Sequence, residues 1–437
     1  MSIISTYLVP HPPLIFPEIG RGEERKIEDT IKAYKKVAAE IVELKPDTII
    51  LLSPHAPSFA DYFYIFPDAS ASGDMSEFGA SEIRLTMKYD TEFAESLTNA
   101  CADNDFPAGN DGDLDAKLDH ATMVPLRFIS DAGNNQQFVR IGITSLSLEQ
   151  HFRLGQLIAK TAEQLNHRTI VVASGDLSHR LLDDGPYGYA PEGPEFDKTI
   201  QQIITSGNLE GLLDLSPEFC DKAGECGHRP LVIMAGCIGD RPYQPKLLSY
   251  EGPFGVGYGV ASFHITASDH VKLARQTVET YVQLDQVVQS PDKLFPSLSA
   301  KQAGVFVSIK KLGELRGCIG TIEPTQPNIA QEIVANAINA STQDPRFEPI
   351  KPDELPYLSY SVDVLQPAES IDSPNQLDPK IYGVIVSLGN KHGLLLPNLD
   401  GIDSAEDQIA IAMQKADIPP TARNQIKLQR FRVNRYY

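Results

Sequence analysis

The 437 residues carry 38 basic and 58 acidic side chains, a formal charge of −20, with 42% hydrophobic and 22% charged content. That composition excludes wholesale disorder and fibrous repeats. The charge, with no Lys/Arg stripe interleaved with aromatics, excludes nucleic acid as an expected partner. Apolar runs stay strand-sized, far below the roughly 20 residues of a membrane span, and the N-terminus lacks a basic leader. The five cysteines (Cys101, Cys220, Cys226, Cys237 and Cys318) have no CxxC spacing and read as reduced thiols, so a cytoplasmic chain with no membrane partner is expected.

The length predicts two domains. Residues 3–9 and 47–53 read as buried strands, and Ile27, Ile31, Tyr34, Ala38, Ile41 and Leu44 recur between them at helical spacing, a β-α-β pattern. Strands at 137–143 and 168–173 flank a helix near 148–165, which predicts a mostly parallel sheet flanked by helices, an α/β fold. The stretch 242–264 reads as two terminal strands joined by a Gly-rich bend, so the first domain is expected over 1–266 and the second over 267–437. After a helical run from Asp269, strands at 304–309 and 358–365 flank a helix at 328–341. A hairpin at 384–397 and a helix at 404–415 follow, predicting a smaller α+β domain.

Ligands of open α/β sheets bind beyond the carboxyl ends of the strands. Three apolar strands here run out into histidine, at Val9-Pro10-His11-Pro12-Pro13, Leu52-Ser53-Pro54-His55-Ala56-Pro57 and Ala173-Ser174-Gly175-Asp176-Leu177-Ser178-His179. The prolines stiffen the loops that present His11 and His55, which suits metal ligands. His120, in Leu118-Asp119-His120-Ala121, is placed to open a helix or loop. Two histidines on iron call for a third ligand, commonly a carboxylate, and Ala223-Gly224-Glu225-Cys226-Gly227-His228-Arg229-Pro230 offers Glu225, Cys226 and His228. Asp176 is read either as orienting His179 or its loop, or as a capping aspartate.

The His-Pro-Pro, Ser-Pro-His, Asp-His-x-x-x-x-Pro-Leu and Ser-Gly-Asp-Leu-Ser-His segments, in this order over residues 3–265, resemble the class III extradiol dioxygenases, the LigB-like family, and their relatives the Memo proteins. The dioxygenase resemblance implies a ferrous iron, Fe(2+), on His11, His55 and Glu225, and cleavage of a catechol-like aromatic ring with O2. It further implies His179 as the catalytic base and His120 as an acid or oxygen-orienting group. The segment Glu225 to Pro230 also resembles the Memo segment in which cysteine replaces the carboxylate. That alternative places Cys226 on the metal and favours copper and a redox or scaffold role without ring cleavage. A zinc hydrolase is a third expectation.

Leu315-Arg316-Gly317-Cys318-Ile319-Gly320, Asp344-Pro345-Arg346-Phe347 and the strand 358–365 resemble the AMMECR domain, which implies no particular activity. Memo and AMMECR proteins are associated with a radical-SAM protein, the protein partner this resemblance implies. Homo-oligomerisation is left open. From the residues, Gly317 and Gly320 permit a sharp turn exposing Cys318 beside Arg316; alternatively Cys318 lies buried in a Gly-kinked strand, with Arg316 paired to a carboxylate such as Asp344.

Overall fold

The computed structural model describes residues 2–133, 136–311, 314–397, 399 and 401–436; the outermost positions of the two expected domain spans, Met1 and Tyr437, lie outside them. The chain divides into two compact units, Met1–Thr266 and Ala267–Tyr437. Among the described residues no helix is long and apolar enough to cross a membrane.

The first unit is built on β1 (Ile3–Val9), α1 (Glu28–Leu44), β2 (Thr48–Ser53), α2 (His120–Asp131), β3 (Gln137–Gly142), α3 (Leu148–Gln164), β4 (Thr169–Ser174), α4 (His228–Ile238), β5 (Tyr243–Glu251) and β6 (Tyr258–Ile265). Its six-stranded sheet runs β3-β2-β4-β1-β6-β5. The first four strands are parallel, and β6 joins β1 and β5 by antiparallel pairing, giving the mostly parallel α/β sheet the sequence predicts. Every residue of β2 and β4 is buried, because helices cover both sheet faces and leave no polar side for alternation. One apolar cluster takes Leu8, Ile50, Leu52, Val171 and Ala173 from one face of these strands; the other takes Tyr7, Val9, Ile49, Leu51, Ile170 and Val172. The predicted strand and helix positions in this unit agree with the observed ones to within a residue or two.

The helix α3 starts with a reciprocal cap: Ser147 Oγ accepts from Gln150 N–H while the Gln150 side chain accepts from Ser147 N–H. Ser147→Ala is expected to cost about 1 kcal/mol, read as a lower midpoint in urea with an unchanged slope. The helices α3 and α4 cross in close backbone contact, for a Cβ on Gly155 would overlap Ile233 O and one on Gly236 would overlap Phe152 O. That contact seats α4 against α3, where α4 also packs on β4 and β1.

The second unit begins with α5 (Asp269–Leu284). One sheet orders β8-β7-β9-β14 from β7 (Val305–Lys311), β8 (Glu314–Gly320), β9 (Leu358–Leu365) and β14 (Val433–Tyr436), covered by α6 (Ile329–Thr342). The other orders β10-β13-β11-β12 from β10 (Glu369–Ile371), β11 (Gly383–Leu388), β12 (Lys391–Leu395) and β13 (Lys427–Phe431), packed on α7 (Ala405–Lys415). The segment around Cys318 is strand and not a sharp turn. Gly317 and Gly320 serve close approach instead, since a Cβ on Gly317 would overlap Ala340 O of α6 and one on Gly320 the Phe306 ring.

Candidate metal centre

His11 leaves the end of β1 on a stiff Pro-flanked segment that Tyr34 Oη clamps by donating to Pro10 O at 2.8 Å. Its backbone N–H donates to Asp176 Oδ1 at 2.8 Å. Ser174 Oγ donates to Ala121 O at 2.7 Å and lies 3.0 Å from His11 Nδ1. The hydroxyl has one hydrogen and spends it on Ala121, so His11 Nδ1 carries the proton that Ser174 Oγ accepts. The Nε2 lone pair is thereby left facing Cys226 Sγ, 3.5 Å away. An imidazole whose second nitrogen is held in this way has the arrangement usual for a metal ligand.

His55 follows β2 in the turn after Ser53, whose Oγ accepts its N–H at 3.3 Å and donates to Asp119 Oδ1 at 2.6 Å. Asp119 also caps α2 by accepting from Thr122 N–H, which seats His120 as the first residue of that helix. Beneath it lies Arg140, wholly buried, pairing with Asp119 at 3.6 Å, donating to Lys117 O and Ala116 O, and stacked 3.6 Å over the Phe66 ring centre. The rings of His11, His55 and His120 meet at centroid distances of 4.6–5.3 Å.

The segment after β4 is stapled to the one before α4. His179 N–H donates to Gly224 O, Ser178 Oγ to Ala223 O, and Cys226 N–H to Asp176 O. Asp176 N–H in turn donates to Cys226 Sγ at 3.3 Å. Gly175 and Gly227 cross so closely that a Cβ on Gly175 would overlap Gly227 Cα. The result brings His11, His55 and Cys226 together with one donor atom from each within 4.8 Å of the others, and His179 Nε2 lies 3.6 Å from the same sulfur.

Burial sets the charge state of the metal-free cluster. It lowers His55 and pushes His120 and His179 down to about 4. His11 is held well below the usual imidazole range by burial, then by its three neighbouring imidazoles. The Cys226 thiol is raised well above its ordinary value, and the Asp176 carboxyl to about 7, both mainly by desolvation. The imidazoles around this point are therefore unprotonated, with lone pairs free to bind a cation, and the sulfur is held as a thiol.

Glu225, the expected carboxylate ligand, is not brought to His11 and His55. Its Oε2 accepts His228 N–H at 2.6 Å at the start of α4, and its carboxyl groups with Cys220 and His228. Burial raises this carboxyl to about 7. The chain turns by one residue between Glu225 and Cys226, so neighbours in sequence face different surroundings. Asp176 touches His11, and the contact with His179 that the sequence suggests is absent among the hydrogen bonds of the described residues.

In the second unit Arg316 forks onto Glu354 at 2.9 and 3.0 Å, so its carboxylate partner is Glu354 and not Asp344. Asp344 instead accepts from Arg346 at 2.7 Å and from Cys318 N–H at 2.8 Å, and chiefly the guanidinium holds its carboxyl down at about 2. Ser308 Oγ donates to Cys318 Sγ at 3.2 Å.

A model of the catalytic LigB subunit of aromatic ring-opening dioxygenases matches residues 5–261, more than half of the chain. The chain belongs to the LigB family. An AMMECR1 model matches residues 271–436. A protein of Clostridium acetobutylicum is 39% identical across 100% of this chain and 99% of its own length. One of Thermotoga maritima is 46% identical over 38% of this chain and 96% of its own. Among solved structures, a Pyrococcus horikoshii protein aligns at 31% identity and TM-score 0.35, covering 38% of this chain and 88% of its own. An Escherichia coli protein aligns at 17% and 0.39, covering 60% and 100%.

Within the LigB domain the sequence points to all four motif histidines but misses the groups that orient them: Ser174, Ser53, Asp119 and Arg140. Ser53 and Ser174 each end an otherwise apolar strand, and that position at a sheet's carboxyl edge is the signal available for them. Arg140 sits inside an apolar strand, where an isolated cation signals a buried pairing.

Proposed function

We propose that the LigB domain is a metal-binding redox protein whose centre is held by His11, His55 and Cys226, without extradiol ring cleavage. One observation carries this reading: Cys226 Sγ, and not the Glu225 carboxylate, shares a common locus with the two strand-end imidazoles. The facial triad of ring-cleaving ferrous iron requires two imidazoles and a carboxylate, and this donor set does not fit it. Two imidazoles and a thiolate suit copper, with zinc as the redox-inert alternative. Copper supplies one-electron chemistry at such a site.

The chain's own groups have definable tasks. Ser174 keeps the proton on His11 Nδ1, the Asp176 N–H stabilises negative charge on the sulfur, and His179 stands beside that sulfur as a neutral imidazole. His120, fixed by the Asp119 cap, packs against His55 and restricts access from that side. The fusion to AMMECR1 supports work alongside a radical-SAM partner.

Metal uptake should be strongly pH-dependent. In the metal-free protein Cys226 is a thiol at neutral pH and His11 is already unprotonated. Binding therefore releases one proton from the sulfur and a further fraction from Asp176, whose carboxyl beside His11 is raised to about 7, so affinity rises at least roughly tenfold per pH unit near neutrality. Calorimetry in buffers of different ionisation enthalpy reads the proton count directly; a count of zero at pH 7 contradicts thiolate ligation.

The family match and the placement of His179 and His120 beside the cluster favour a second reading, Fe(2+)-dependent cleavage of a catechol. Anaerobic loading with ferrous iron, followed by oxygen-uptake measurements over a panel of catechols, separates the two. The proposed function predicts no substrate-dependent uptake.

A further inference from the structure

We infer that the excursion 180–191, which carries Tyr187 over His179, is a port at which a basic electron-transfer protein docks and exchanges one electron with the centre. The inference rests on the redox reading of the Cys226 centre for the electron, while the docking itself needs no metal. Three large side chains stand exposed within eight positions here: Leu182 (39%), Tyr187 (62%) and Tyr189 (51%). The segment that presents them is built into the fold. Leu181 and Tyr189 pair as an isolated antiparallel bridge, Leu181 N–H donates to Gly255 O, and Ala190 N–H donates to Arg180 O. Gly185 and Gly255 cross so closely that a Cβ on either would come within 3.2 Å of the other's Cα. Apolar side chains clustered on such a fixed, solvent-facing segment mark an interaction site, unlike apolar residues scattered singly over a surface.

Tyr187 joins this surface to the centre. Its ring lies 5.1 Å from that of His179, centroid to centroid, and His179 Nε2 is 3.6 Å from Cys226 Sγ. An electron moving between the surface and the sulfur crosses one phenol and one imidazole in short steps, with no bond made or broken and no proton transferred. The balance is one electron lost by copper(I) at the centre and one gained by the oxidised partner, or the reverse for copper(II) and a reduced partner.

Charge selects the partner. Asp183 and Asp184 are exposed between Leu182 and Tyr187, and the one cation of the excursion, Arg180, is turned onto Lys222 O. Residues 1–266 hold 38 acidic and 21 basic side chains, so 17 of the 20 net negative charges belong to this unit. A field of that sign steers a basic protein towards the port and repels an acidic one. A small apolar patch beside like charges suits the brief contacts of electron transfer, which bury less than about 1,200 Å².

The test uses a basic cytochrome c as the probe and an acidic ferredoxin as its counterpart. Docking to the metal-stripped full-length chain is read from NMR shifts of the probe, and electron transfer from the copper(I)-loaded chain is read from the haem absorbance in stopped flow. The cytochrome is expected to bind at low ionic strength, at least about 10-fold more weakly at about 0.3 M salt, and more tightly than the ferredoxin. Asp183→Lys with Asp184→Lys is expected to weaken docking at least about 10-fold. The same charge change at Glu210 and Asp240, which line a cleft with Tyr243 at the sheet's amino edge, is expected to cost less than about threefold. In the saturated complex, Tyr187→Leu is expected to slow electron transfer at least about 10-fold, and Tyr187→Phe, which keeps the ring, to restore most of the rate. An unaltered chain that binds the cytochrome no more tightly than the ferredoxin overturns the inference whether or not the variants fold. Equal weakening by the two charge-reversed pairs, or an undiminished rate in Tyr187→Leu, also overturns it. Failure to take up copper removes the redox reading, and the docking measurements on the metal-stripped chain then still decide the surface.

Discussion

Cys226→Ala is expected to weaken copper binding at least about 100-fold, whereas Glu225→Gln leaves it within a few-fold of the unaltered protein. The first change removes one of three donors and the one that carries negative charge, an effect larger than the roughly 10- to 100-fold cost of losing a group that merely orients a ligand. The second touches a carboxyl committed to the His228 N–H at the head of α4. Its cost is in stability, about 1 kcal/mol, because a neutral amide oxygen still accepts that hydrogen bond but more weakly than a carboxylate. Competition titrations with a copper chelator give the affinities, and urea unfolding gives the stabilities. If Glu225→Gln loses copper while Cys226→Ala keeps it, the carboxylate triad is restored and the thiolate centre is lost.

Gly175→Val is expected to be among the most damaging single substitutions in the LigB domain. Any Cβ at this position overlaps the Gly227 backbone, and a backbone neighbour cannot swing aside as a flexible side chain can. The branched side chain must push apart the segments that follow β4 and precede α4, breaking the Cys226 N–H to Asp176 O bond and the Asp176 N–H to Cys226 Sγ bond. The cost is on the order of 4 kcal/mol, which for a domain of this size lowers Tm by roughly 10 °C. Folded protein that survives should bind copper poorly, since the sulfur no longer meets His11 Nε2. Normal Tm with normal copper affinity would show that the crossing of the two glycines does not position Cys226.

These two substitutions mark where the sequence stops being readable. The strands β2 and β4 are legible because burial on both faces makes them continuous apolar runs, and His11, His55 and His179 are legible because they stand where such strands end. The choice between Glu225 and Cys226 is not. Both are competent ligands, and which of them faces the histidines depends on a one-residue turn of the chain enforced by Gly175 against Gly227, partners far apart in sequence. The pairing of Asp176 with His11, across 165 residues, is hidden for the same reason. In the AMMECR1 domain the motif glycines are legible as backbone devices. Their purpose, room for a helix carbonyl and for a phenyl ring in place of a turn, requires the packed neighbours Ala340 and Phe306. The strands β10, β13 and β14 escape notice because they are short and half-exposed, with no apolar run to announce them.

The central claim is that a sulfur from this chain binds the metal alongside two imidazoles. X-ray absorption at the metal edge of the copper- or zinc-loaded full-length protein tests it most directly. The account predicts one sulfur scatterer at about 2.3 Å and two imidazole nitrogens at about 2.0 Å, with the sulfur contribution lost in Cys226→Ala. A first shell of nitrogen and oxygen alone, unchanged by removal of Cys226, would contradict it.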